Sequence, residues 1–432
     1  MEKLAQMSLF LKINIKFILP ILLFLSFSTI YYVGSFSKIP FGDCVGFVFL
    51  VEKGKYITTA TLNSHFLYVN TAIILKDILN INAIEANTLL VIFSASITLS
   101  LIYIMVFNLT KQIAPSIITA IVFGFSFTFW KNAEIVEVYT YNSLWISVFF
   151  LCLIKTFTST ERKYIIEAGI FLGISFWLHM QNILLIPAFL LLLYYFRSEK
   201  KQVYFSLFFL LFFFSLLFIV NYSQGLPLMS PLSSNQNSWV EDSFKKSFSQ
   251  YVFDFLKSLI YLAYNFSIFI FFGILGIIRL YKVNRNMFYI FFVASVCVYG
   301  FSTFYAVTDN YVFFLPFNII FALSIGYGLF HTPYPFLRKA SWVCFFIPFL
   351  YYFVLQLILI APQGKNFNHF KSYKGGLPYY LLPWMNNNVG ILEFTIDKKK
   401  APETISWMII SAEEYINVLQ EKGYTTEQIK KF

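Results

Sequence analysis

The stretch His65–Leu79, HFLYVNTAIILKDIL, decides how this chain is folded. It is apolar enough to enter lipid, but it is short, and Lys76 and Asp77 interrupt its end. A membrane span needs roughly 20 apolar residues, with about 17 as the lower limit. If this segment crosses, every later loop changes side. If it does not, the later loops keep the side set by the first span. The answer has to come from the rest of the chain.

The 432 residues are 58% hydrophobic and only 12% charged, with mean hydropathy +0.69. A soluble domain keeps about a quarter of its residues charged. Phe alone fills 56 positions, more than one water-soluble core could hide. Lipid is therefore the solvent for most of the surface, and the fold class is all-α integral membrane. Outside 65–79, apolar runs lie near 17–34, 88–108, 114–130, 138–157, 164–179, 183–197, 203–221, 256–278, 287–306, 311–330 and 340–360. These predict about eleven transmembrane helices. The first run is too long for a signal-peptide core and lacks a small-residue cleavage site, so it is expected to stay as an anchor. No internal repeat is visible.

Charge then orients the bundle. With 65–79 not crossing and Lys3, Lys12 and Lys16 in the cytoplasm, the cytoplasmic loops hold Lys111, Lys163, Lys200, Lys201, Lys282 and Lys339. All five arginines, Arg162, Arg197, Arg279, Arg285 and Arg338, fall on that side too. Crossing would send all five outside, against the positive-inside rule. The segment 65–79 is therefore read as a juxtamembrane helix in the first external loop, lying along the interface and packed over a cleft. The N-terminus is expected in the cytoplasm and the C-terminus outside, in a bacterial cell (inner) membrane. A multi-span domain covers 1–360, and a small non-cytoplasmic domain, α or α+β, covers 361–432. In its run SAEEYINVLQEKG, Ser411 with Glu414 three residues on predicts a capped helix start, and Gly423 its stop.

Several function classes drop out. The net charge of +11 sits in short loops and the tail with no basic stripe, so no nucleic-acid partner is expected. Cys44, Cys152, Cys297 and Cys344 show no CxxC or Cys/His spacing, which implies neither a disulfide framework nor a metal site. Walker, dinucleotide, HExxH and GxSxG motifs are all missing. A donor already carried in the membrane fits better than a nucleotide.

The residues that could carry chemistry lie in the external loops, where ionisable groups beside a membrane-embedded cleft are informative. Asp43 sits in KIPFGDCVGF between Gly42 and Gly46, which let a substrate approach the backbone. Glu134 and Glu137, in SFTFWKNAEIVEVYTYNSLW, are three apart and would share one helical face. Lys131, Asn132, Tyr139 and Tyr141 surround them, a set suited to sugar binding. His179 lies in ISFWLHMQNILLIPA beside Gln181 and Asn182, and Asp309 in FYAVTDNYVFFLP beside Tyr305 and Tyr311. His65 opens the juxtamembrane helix. His331 and His369 receive no role.

The segments FTFWKNAEIVEVYTYN, GISFWLHMQNILLIPA and AVTDNYVFFLP together resemble the protein O-mannosyltransferase-like group of the GT-C glycosyltransferase superfamily, over roughly 17–330. MSPLSSNQNSW with Gln250 and Tyr251 resembles the family's external loop. The resemblance implies a sugar, such as mannose, carried on a polyprenyl phosphate and transferred with inversion on the non-cytoplasmic face. The acceptor would be a hydroxyl of a protein or glycan. It implies Asp43 as catalytic base, with Glu134 and Glu137 as further catalytic acids and a juxtamembrane helix in the first loop. His65, Lys131, Asn132, Tyr139, His179 and Asp309 are the expected substrate-binding residues, with Lys131, His65 and His179 available to the phosphate. Any divalent-metal requirement is left open. Relatives often carry a second acid after the first-loop aspartate, where this chain has Val45 and Gly46, and the family's His-Pro-Pro-Gly is here His65-Phe66-Leu67-Tyr68.

Rival readings are a lipid or sugar transporter or flippase, an O-antigen ligase or polymerase, and a catalytically degenerate GT-C scaffold. A transporter would hold its ionisable groups at mid-span and show repeats. A ligase would use external arginines.

Overall fold

The computed structural model describes residues 2–61, 65–233, 239–307 and 309–432, with 2–15 as backbone alone. Residues 234–238, in the loop quoted above, lie outside the described residues. Among the described residues the chain is all-helical. The first helix, α1 (Glu2–Gly34), is followed by two short ones, α2 (Cys44–Lys53) and α3 (Phe66–Leu79). Next come α4 (Ala83–Thr110), α5 (Ile113–Gly124), α6 (Phe127–Ala133), α7 (Tyr139–Thr158), α8 (Lys163–Ser175), α9 (Ile186–Tyr195) and α10 (Lys200–Ser223). After α11 (Trp239–Phe244) the bundle continues with α12 (Phe248–Phe266), α13 (Ile270–Val283), α14 (Arg285–Phe304) and α15 (Leu315–His331). It closes with α16 (Pro335–Ala340) and α17 (Ile347–Ile360), and five short helices, α18 (Pro362–Phe370), α19 (Gly376–Leu381), α20 (Ile391–Ile396), α21 (Ser406–Glu421) and α22 (Thr426–Ile429), form the tail.

Among the described residues eight of these paths are long and apolar enough to cross a membrane, and the bent pair α5–α6 makes nine. The other two apolar runs are shorter: α8 has 13 residues, and the turn-plus-helix Met180–Tyr195 is also below span length. At 1.5 Å per residue they reach about 20–24 Å, less than the roughly 30 Å of a hydrocarbon core. Arg162 before α8 pairs with Glu199 after α9 at 3.2 Å, so the two form a hairpin with both open ends on the arginine side. The hairpin's tip carries His179.

The core is centred on Asn310–His331, 94% of whose span is buried, whereas α10 is only 17% buried and turns a row of Phe and Leu outward. Gly276 of α13 and Gly328 of α15 bring these two helices together so closely that a Cβ at either would strike the other's backbone carbonyl. Small residues at a helix crossing are how packing substitutes for the missing hydrophobic drive in lipid.

The 68° bend between α5 and α6 matters most for function. Breaking a helix in an apolar setting leaves orphan carbonyls and amides. Here Tyr31 donates to Gly124 O at 2.9 Å and Tyr351 to Phe125 O at 2.7 Å, while Asn265 Oδ1 accepts from Thr128 N at 2.8 Å. All three bonds come from distant parts of the bundle. The bend turns α6 toward the first-loop helices and carries Lys131 and Glu134 with it.

A second core joins the first loop to the tail. Ile39, Phe41, Cys44, Val45, Val48 and Val51 pack in one buried cluster with Tyr68, Val69 and Ile73 of α3 and with Ile391, Phe394, Tyr415 and Leu419 of the tail. The juxtamembrane segment is thus a helix, α3, seated on α2 and α4 with its buried face in this cluster. One tail expectation fails. Ser411 does not open a helix: α21 begins five residues earlier at Ser406, and Ser411 Oγ bonds back to Trp407 O at 3.1 Å. Gly423, with φ +89°, does sit just beyond its end.

Candidate functional site

Asp43 occupies the position before α2 and makes no capping bond to it. Gly42, with φ +123°, supplies the turn that an L side chain would resist. The carboxylate is open to solvent yet flanked by protein on most sides. That desolvation, with the neighbouring charge of Asp309, pushes its pKa up to about 6. Glu137 reaches the same place from the loop before α7, its Oε1 3.7 Å from the Cys44 thiol. Burial pushes its pKa up strongly, and the charges of Asp43 and Asp309 add to this. Asp309, from the corner after α14, is also raised by burial, but its own backbone amide and Lys257 work against the rise. Lys257 is anchored beside it by a 3.1 Å bond to Asn310 Oδ1. Three carboxylates from three distant loops therefore come near enough to feel one another's charge.

The two histidines meet near these carboxylates, beside Tyr139. Their rings lie 5.0 Å apart at 34°. His65 Nδ1 is 2.7 Å from Leu178 O, and His179 Nδ1 accepts from Gln181 N at 3.2 Å. Burial lowers both pKa values, and for His179 the neighbouring His65 lowers it further. Tyr139 joins them, 6.0 Å from the His179 ring. Gln181 and Asn182 are structural: Gln181 Nε2 donates to Phe313 O at 2.6 Å and Asn182 Nδ2 to Asn142 Oδ1 at 2.7 Å, fixing the hairpin tip.

Glu134 goes elsewhere. The helical face expected to hold both glutamates is not formed, because α6 ends at Ala133 and residues 134–138 are irregular. Glu134 turns back into a buried slot, where Trp130 Nε1 donates to it at 2.5 Å and Met385 N at 3.0 Å. Burial raises its pKa against those two bonds. The structure does not bring it into the carboxylate cluster. Asn132 is likewise fully buried and bonds back to Thr128 O in its own helix at 2.7 Å.

Lys131 is 96% buried, since only 4% of it is exposed. Its ammonium donates to Tyr379 O and lies 4.7 Å from the Tyr379 ring centre. Lys374 stands 5.6 Å from the same ring. Tyr379 in turn donates to Phe41 O at 2.9 Å, two residues before Asp43. The tail is therefore packed against Lys131 and the segment just before Asp43.

A sequence model of the family described as protein O-mannosyl-transferase TMEM260 N-terminal domain matches residues 64–203. The fold is similar to that of ArnT from Cupriavidus metallidurans in the apo state, with TM-score 0.61 and 8% identity over 95% of this chain and 76% of that one. The same protein bound to undecaprenyl phosphate gives TM-score 0.60 and 9% identity, with the same coverage. No curated protein sequence matches the chain. Over residues 64–203 the chain is thus similar to that O-mannosyl-transferase family, and its fold as a whole is like that of ArnT.

Sequence reasoning missed four contributors: Cys44 beside Glu137, Lys257 beside Asp309, and Tyr379 and Lys374 from the tail. Lys257 carried a readable signal, a lone lysine in the otherwise apolar run FLKSLIYL. The tail pair carried none.

Proposed function

We propose that this protein is an inverting glycosyltransferase. It moves a sugar such as mannose from a polyprenyl-phosphate donor to an acceptor hydroxyl on the non-cytoplasmic face of the membrane. The observation that carries this reading is the convergence of Asp43, Glu137 and Asp309 from three loops to within reach of one another's charge. Asp309 adds to the rise at Asp43, while Lys257 and a backbone amide hold back the rise at Asp309 itself. With its pKa near 6, Asp43 is ionised at neutral pH yet basic enough to take a proton, the condition for an efficient general base. The acceptor oxygen attacks the anomeric carbon and its proton passes to Asp43. The bond from that carbon to the phosphate oxygen breaks, and its electron pair leaves with the lipid phosphate.

The phosphate fits at Lys131 and Lys374. A buried ammonium held by one carbonyl and aromatic faces is costly unless an anion completes it. Glu403 pairs with Lys374 at 3.5 Å and with Lys371, which leaves Lys131 to the ligand. Undecaprenyl phosphate bound to ArnT supports a lipid carrier, and the matched family's description supports a protein hydroxyl as acceptor. The test is transfer from undecaprenyl-phosphate mannose to a Ser/Thr-bearing peptide by the purified chain. Asp43→Asn is expected to lower the rate about 10²–10⁴-fold. Near-wild-type transfer by a folded Asp43→Asn protein sinks the assignment.

A further inference from the structure

We infer that His65 and His179 together read one hydroxyl of the transferred sugar, His65 Nε2 accepting its hydrogen and His179 Nε2–H donating to its oxygen. The inference rests on the glycosyl-transfer reading. The argument is one of tautomers. A backbone carbonyl can only accept, so the 2.7 Å contact of His65 Nδ1 with Leu178 O places the ring hydrogen on Nδ1. A neutral imidazole has a single N–H, which leaves Nε2 of His65 as a bare acceptor. A backbone amide can only donate, so the bond from Gln181 N makes His179 Nδ1 the bare nitrogen and puts the hydrogen on Nε2. The two neighbouring rings, tilted at 34°, thus carry opposite polarity.

Among the described residues neither Nε2 has a hydrogen-bond partner, and no hydrogen bond joins the two rings. Neither atom is sealed away without a partner, as His331 Nε2 is. The pair is flanked by Phe47 (5.9 Å from His65), Phe313 (5.6 Å from His179) and Tyr139 (6.0 Å from His179). Tyr139 also lies within electrostatic reach of Glu137, Asp309 and Asp43, so the pair borders the reacting end of the cleft. Apolar walls with a few placed polar atoms are the usual make-up of a small-molecule site. A hydroxyl donates once and accepts, which matches this pair. A phosphate oxygen only accepts and would face the lone pair of His65, so the expectation that these histidines meet the phosphate is replaced.

The experiment compares two probes, undecaprenyl phosphate and undecaprenyl-phosphate mannose, binding to the full chain in lipid nanodiscs. His65→Ala and His179→Ala are each expected to weaken the mannosyl lipid about tenfold and the bare lipid less than twofold. Equal loss for both lipids overturns the inference while leaving glycosyl transfer standing. Wild-type protein that binds neither lipid removes the glycosyl-transfer reading, and this inference with it. Imidazole ¹⁵N spectra of the unmodified protein give an independent check: Nδ1–H at His65 and Nε2–H at His179 are expected, and the opposite tautomer at either ring overturns the pairing.

Discussion

The two carboxylates of the loop between α6 and α7 sit three residues apart in very different surroundings. Glu134 lies in a slot closed by Trp130, Gly34 and the backbone of Met385, and its oxygens are occupied by structural donors. Among the described residues Glu137 has only a long contact with the Cys44 thiol and otherwise feels the charges of two other carboxylates. The difference teaches what each loop position is for. A carboxylate whose lone pairs are filled by protein donors holds the tail to the bundle. One left short of donors among like charges is available to a substrate. Raised pKa values occur at both, so the shift alone does not mark the chemistry; the hydrogen-bond partners do.

This contrast can be broken most sharply by exchanging the two losses. Glu137→Gln is expected to cut transfer about 10²-fold or more while melting temperature holds, whereas Glu134→Gln keeps transfer within a few fold. Measuring both rates at equal protein concentration decides it, and equal losses would erase the distinction. Next in size, Glu134→Ala strands two buried donors and should cost about 2 kcal/mol or more of stability, read as a lower melting temperature. Gly34→Ala should then destabilise by about 1–3 kcal/mol, because the new methyl meets the Glu134 carboxylate directly.

The smallest expected effect is on pH dependence. As the proposed base, Asp43 would work ionised, so the rate is expected to fall as pH drops through about 6. Asp309→Asn removes one of the two causes of the raised pKa, the lesser one, and should move that midpoint down by less than about one unit. Linkage fixes the sign for stability. The folded state holds the Asp43 proton more tightly than the unfolded chain, so ionisation costs stability as pH rises from 3.8 to about 6. Asp43→Asn should therefore melt no lower than wild type at pH 7.

Much of the bundle was legible in the sequence. Apolar runs located the helices, and the alternation of crossings brings Asp43, His65, His179 and Asp309 to one end whatever their detailed packing. The split between Glu134 and Glu137 was half legible. Ile135, Val136 and Val138 are β-branched and disfavour helix, a signal that the shared face would fail. The tail's part was not legible. Tyr379 and Lys374 reach the cleft through contacts with residues 41 and 131, hundreds of positions away, and such pairings leave no periodic trace in one sequence. The tautomers of the two histidines likewise depend on the Leu178 carbonyl and the Gln181 amide, which side-chain patterns do not reveal.

The shared core of first loop and tail has a consequence for biosynthesis. Ile39 O accepts from Ile391 N at 2.9 Å, and Ser37 N donates to Asn388 Oδ1 at the same distance. The loop bearing Asp43 thus leaves the ribosome before its packing partners, which are made some 350 residues later. At about 5–20 residues per second, translation leaves that loop without its partners for tens of seconds. The packing around Asp43 is then completed only when the tail docks, after every membrane helix has been made.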